Sequence, residues 1–146
     1  MENLSNFSER LKELMEEHDL RAPALARIVH TDRTNITRYL RGERYPLLPT
    51  FLAMADYFAC SADYLLGLTE LAEPQQFMPA PPFAGRLRAV MQETKTTQYE
   101  LEKELSLSGS VVYRWLHGES LPTLPSLIRL AKHMECSVDY LLGRVR

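Results

Sequence analysis

The chain repeats itself. Phe7 to Gly67 lies over Phe83 to Gly143 at a constant offset of 76 positions, without a gap. Phe7, Arg10, Leu11 and Met15 fall on Phe83, Arg86, Leu87 and Met91. Leu25 falls on Leu101, Arg38 on Arg114, Leu40 on Leu116, and Gly42-Glu43 on Gly118-Glu119. Pro46, Leu48 and Pro49 meet Pro122, Leu124 and Pro125, and the closing CSADYLLG (Cys60 to Gly67) meets CSVDYLLG (Cys136 to Gly143). Whatever one copy folds into, the other must fold into as well. Two units of about sixty residues are too few for a solenoid and long enough for self-standing small domains.

The hydrophobic period decides the class. Phe7, Leu11, Leu14 and Met15 sit at i, i+4, i+7 and i+8, the pattern of an amphipathic helix. Asn6 with Glu9 makes a plausible capping pair at its start, and His18-Asp19-Leu20 ends it. A second, short helix is expected from Ala22 to Val29, with Pro23 tolerated in its first turn and Leu25, Ala26 and Val29 facing inward. Asp32 can cap a third helix, and Gly42 suits the left-handed residue that stops it. A fourth, entered at Pro49, carries Leu48, Phe51, Leu52, Ala55 and Phe58 inward. Ser61 caps a fifth that holds Tyr64, Leu65 and Leu66. The second copy reads the same way from Phe83, with Thr123 and Ser137 as late caps. No alternating strand pattern occurs, so the expectation is five helices, twice. Phe7, Leu11, Leu25, Ile36, Leu40, Phe51 and Leu65 should be buried in the first copy. Phe83, Leu87, Leu101, Val112, Leu116, Leu127 and Leu141 are their partners in the second.

Thr69 to Pro82 (TELAEPQQFMPAPP) holds four prolines in fourteen residues, which is linker chemistry. Stretched out, such a segment reaches roughly 45–50 Å, more than one DNA turn of about 34 Å. The expected domains are therefore 1–68 and 83–146, joined by a Pro-rich linker at 69–82. Apolar residues at 45% and charged ones at 25% are globular values. No export signal or membrane-length apolar run is present, and two cysteines without a CxxC pattern point to a reducing cytosol.

Charge is where the copies part. The net charge of −2 argues against a chain that coats nucleic acid indiscriminately, so any DNA contact must be a local patch. The third helix of copy one, DRTNITRYLRGE from Asp32, supplies one. Arg33, Thr34, Asn35, Thr37, Arg38 and Arg41 alternate with Ile36, Tyr39 and Leu40. Arginine forks suit guanine edges and phosphates, while Thr and Asn suit bases or backbone. Over residues 20–45, Arg21, Arg27, Arg33, Arg38, Arg41 and Arg44 oppose only Asp32 and Glu43, a net +4. Over the matching 96–121, Lys103 and Arg114 oppose Glu100, Glu102, Glu104 and Glu119, a net −2.

The order of these elements, with ITRYLRGE, the following proline and CSADYLLG, resembles the helix-turn-helix domains of the lambda repressor and Cro (XRE-type) superfamily. The second copy, TTQYELEKELSLSGSVVYRWLHGESLP and then CSVDYLL, is similar to it. The resemblance covers about residues 5–68 and 82–144. It implies an all-α protein of two tandem five-helix domains, each with a third helix that enters the DNA major groove, in a bacterial or phage transcriptional regulator such as a repressor. Its base-facing positions correspond to Arg33, Thr34 and Arg38 here, and to Gly109, Ser110 and Arg114 in the second copy. The family's phosphate-bracing glutamine is matched by Gln98, whereas copy one has Ala22 there with Arg21 adjacent. The small residue that lets the second helix press on the third is Ala26 in copy one but Glu102 in copy two, where a carboxylate must crowd or escape to solvent. Ser108 can offer a hydroxyl to phosphate, while Asp32 would repel it.

Other residues invite chemistry without carrying it. Cys60 and Cys136 share a repeat position and read as small buried thiols. His133 and Cys136 have ligand-like spacing, but Tyr57 stands at the histidine's place in copy one and no second pair completes a metal site. Tyr39 and Trp115 share a position and are expected to wedge into the cores, as are Met15, Met54, Met91 and Met134. No nucleophile–base set, phosphate-cradling loop or cofactor motif is present, so neither an enzyme nor a cofactor is expected. The reading is a cytoplasmic, nucleoid-associated regulator of double-stranded DNA, with the first domain as reader. The alternative is a protein-interaction module of the same fold that partners another regulator. The tether allows a pseudo-dimer within one chain, and a homodimer through the second copy fits the sequence equally.

Overall fold

A computed structural model describes residues 2–72 and 76–146. These residues form two compact units that divide between Phe77 and Met78. Ten helices and no strand occur among them. The first unit holds α1 (Glu2–Glu17), α2 (Ala22–Ile28), α3 (Arg33–Leu40), α4 (Leu48–Phe58) and α5 (Ala62–Leu65). The second holds α6 (Phe83–Thr94), α7 (Gln98–Glu104), α8 (Gly109–Leu116), α9 (Leu124–His133) and α10 (Val138–Leu142). No described helix is long and apolar enough to cross a membrane.

Each unit is built around its own core. Phe7, Leu11, Leu25, Ile36, Phe51 and Leu65 are fully buried in the first, and Leu87, Leu101, Val112, Leu127 and Leu141 in the second. Phe83, Tyr39, Trp115 and the four core methionines are buried as well. Burying one such side chain contributes about 1.5–3 kcal/mol. Leu40 and Leu116 are only half-buried. Residues advance by about 100° along a helix, so the seat beside Ile36 goes to Tyr39, and Leu40 is left at the rim. Leu52 is likewise half-buried, and so are the thiols of Cys60 and Cys136, which were expected inside.

The caps explain where the helices stop. Asp32 accepts a hydrogen bond from Asn35 N at 2.8 Å, Ser61 caps α5, and Thr123 and Ser137 cap α9 and α10. Past α3, Gly42 takes a φ of +69° while Glu43 N donates to Arg38 O at 3.0 Å, a Schellman ending. Gly118 and Glu119 repeat it after α8. Asn6, however, is no cap. Helix α1 begins at Glu2, because nothing in Glu2 to Ser5 breaks a helix, whereas Pro82 holds the same repeat position before α6 and serves as its N-cap residue.

One repeated residue has a use that periodicity does not reveal. Arg10, nearly buried, lies 3.8 Å over the Tyr64 ring and donates to Tyr64 O at 2.6 Å. Arg86 does the same with Tyr140, over the ring at 5.1 Å and to its carbonyl at 2.5 Å. Each arginine ties the first helix of its unit to the last. Arg10 also reaches Thr69 O and Glu70, while Met78 N donates to Arg144 O, so both ends of the expected linker are bound to their own units. Between them the described linker residues carry no helix, and 73–75 lie outside the described residues.

Candidate nucleic-acid interface

Helix α3 presents two faces. Counting about 100° per residue from Arg33, Thr37, Arg41, Thr34 and Arg38 fall within an arc of roughly 140°. Tyr39 and Ile36 occupy the opposite side and pack inward, with Leu40 at the rim beside Arg33. Arg33, Thr34, Arg38 and Arg41 are all exposed, as are Arg21 at the head of α2 and Arg44 in the loop after α3. Arg33, Arg38 and Arg41 thus share one exposed face of α3. Thr37 spends its hydroxyl proton on Arg33 O at 2.9 Å, which leaves its oxygen to accept.

Asn35 stands at the edge of this face, half-buried. Its amide nitrogen donates to Thr31 Oγ1 at 2.8 Å, and its Oδ1 accepts from an Arg44 Nη at 3.2 Å. Arg44 also lies 5.9 Å over the Tyr39 ring. Asn35, expected to contact DNA at bases or backbone, thus has both ends of its amide engaged within the domain.

The second copy keeps the scaffold and changes the face. Ser110 and Arg114 are exposed at the places of Thr34 and Arg38. The centre of the face, where copy one has Thr37 and Arg41, holds Tyr113 and His117 stacked at 3.8 Å. Ser108 precedes α8 without capping it, and its hydroxyl meets that of Ser110 at 3.0 Å. Gln98, half-buried, donates to Glu102 Oε1 at 3.0 Å and points toward Gly109 O at 3.5 Å. The Glu102 carboxylate neither escapes nor crowds, because a Cβ on Gly109 would lie only 2.8 Å from its Oε1. Glycine makes the room. In copy one the order of sizes is reversed, with Ala26 small and Arg33 large. His133, a doubtful ligand, faces Glu100 at 3.5 Å instead.

A helix-turn-helix domain model matches residues 6–65, and a second helix-turn-helix model matches 87–141. The chain is a tandem helix-turn-helix protein. The two matches span α1 to α5 and α6 to α10 nearly whole, in keeping with the lambda repressor and Cro resemblance. Comparison with curated proteins and with solved structures gave no match. Helix-turn-helix domains support DNA binding in general, and α3 and α8 are the third helices of the two domains. The charge of their faces separates them, and it was legible in the sequence. The stacked Tyr113–His117 pair and the Glu102–Gly109 exchange were not, since each depends on which residues meet across a turn.

Proposed function

We propose that this tandem helix-turn-helix protein is a sequence-specific DNA-binding transcriptional regulator, a cytoplasmic repressor type, that reads the major groove with α3. The observation that carries it is the exposed arginine set Arg33, Arg38 and Arg41 on one face of α3, with Arg21 exposed at the head of α2 and Arg44 in the loop after α3. In this reading Arg33, Thr34 and Arg38 meet base edges, while Arg21, Arg41 and Arg44 meet phosphates. The second domain contributes less, through Gln98, Ser108, Ser110 and Arg114. Its helix-turn-helix stretch, residues 96–121, is net −2, Gln98 is drawn toward Glu102, and an aromatic stack fills the centre of the α8 face.

Selection of bound duplexes from random DNA tests the reading, followed by salt titration of variants. Arg33→Ala or Arg38→Ala should cost on the order of 1–3 kcal/mol and relax base choice. Arg41→Ala should flatten the slope of log affinity against log salt by about one unit with specificity kept. Changing Ser110 and Arg114 together should matter less than Arg38 alone; the reverse ranking hands the reading to the second domain. A second role for that domain has its own support. Tyr99, Tyr113 and Leu121 are large and exposed where the first domain has Pro23, Thr37 and Tyr45, and exposed aromatic and aliphatic side chains suit contact with protein, including a second copy in a homodimer. Mass in solution without DNA distinguishes a stable dimer from a single-chain pseudo-dimer.

A further inference from the structure

Three residues of the first domain form a chain that ends on a cation. Thr31 Oγ1 receives the Asn35 amide nitrogen, Asn35 Oδ1 receives Arg44, and Arg44 rests above the ring of the buried Tyr39. The direction of this chain is fixed by chemistry. A guanidinium only donates, so the atom of Asn35 that faces it must be the oxygen, and the amide nitrogen must then face the threonine hydroxyl. Arg44 lies beyond the helix, in a loop whose backbone would otherwise leave a long side chain many rotamers. Held on one edge by an amide and beneath by an aromatic ring, it keeps its remaining N–H groups for an outside acceptor.

The second copy loses the whole arrangement together. The matching positions are Leu107, Val111 and Ser120, so acceptor, bridge and cation are absent at once, while the ring position survives as Trp115. The buried cores of the two domains correspond, whereas this exposed arrangement beside the third helix belongs to the first domain alone.

We propose that Asn35 does not itself read a base but is a positioning residue, which holds Arg44 in the pose that meets the DNA backbone. This rests on the reading of α3 as the DNA-facing helix. Pre-ordering Arg44 lowers the entropy lost when it pairs with phosphate.

A double-mutant cycle on the full chain tests the idea, with a duplex recovered by selection from random DNA as the probe. Asn35→Ala should weaken binding about three- to tenfold, the range of one ordered hydrogen bond, with base preference unchanged. In an Arg44→Ala background the same change should do nothing further. Thr31→Val, which withdraws the support of Asn35 from the other side, should weaken binding only while Arg44 is present. Alanine suits a helix interior, so the melting temperature of the free Asn35→Ala protein should stay near that of the parent. An equal loss from Asn35→Ala with and without Arg44, or a changed base preference, would show a direct contact and overturn the proposal. So would an Asn35→Ala protein that binds as tightly as the parent. If the parent chain selects no duplex at all, the α3 reading falls, and this proposal falls with it; in every other failure only the role of Asn35 is lost.

Discussion

Two side chains carry costs that no pattern announces. The Tyr45 hydroxyl is buried with no hydrogen-bond partner among the described residues, and burial pushes its pKa up to about 12. The folded form therefore binds the phenol proton more tightly than the unfolded chain, whose tyrosine titrates near about 10. Its stabilising share is complete below about pH 10 and is lost as pH rises toward about 12. Tyr45→Phe should leave the neutral-pH melting temperature unchanged or raised, and should shrink the alkaline loss of stability measured by denaturant titration. Arg144 is the opposite case, a fully buried cation 2.6 Å from the buried Asp139 carboxylate. The first domain has Leu68 at that place, so the repeat offered no hint of it. Arg144→Ala should cost the second domain about 3–5 kcal/mol by leaving Asp139 without its guanidinium, measurable by thermal unfolding.

At the scale of elements, much was readable because the signals are local. Periodic apolar residues gave every helix, and Asp32, Ser61, Thr123 and Ser137 cap where their side chains can reach a backbone N–H three residues on. Where the sequence misled, the deciding partner lay elsewhere. Asn6 looked like a cap only while the turn before it was taken as irregular, and it lies instead against Gly67, whose added Cβ would come within 2.7 Å of it. The same distinction separates the heads of α3 and α8. Asp32→Ala removes a working cap and should cost about 1 kcal/mol of first-domain stability, while removal of its negative charge should tighten DNA binding. Ser108→Ala removes a hydroxyl that makes no cap bond, so the melting temperature should hardly move. Equal losses from the two changes would contradict that difference. The arginine face of α3 was legible for the reason the caps were, a short-range spacing. The engagement of Asn35 with Arg44 was not, because nine residues and a turn lie between them.

At the scale of the molecule, the separate cores predict separate behaviour. Leu11→Ala, at a fully buried site of the first domain, should cost about 2–5 kcal/mol there. Thermal unfolding followed through Trp115, the only tryptophan and a residue of the second domain, should scarcely register it, whereas far-ultraviolet circular dichroism should. A matched shift of both signals would show a single cooperative block. The two domains also record how a duplicated unit can drift apart. At the contact between second and third helix, one copy pairs Ala26 with Arg33 and the other pairs Glu102 with Gly109. Two substitutions separate these states. Glycine at the head of α8 gives the Glu102 carboxylate its present seat, since a Cβ there would lie 2.8 Å from Oε1 and oblige the end of that flexible side chain to shift. A Gly109→Ala change should therefore move the carboxylate rather than unfold the domain, so the small residue is an easement for Glu102 and not a requirement.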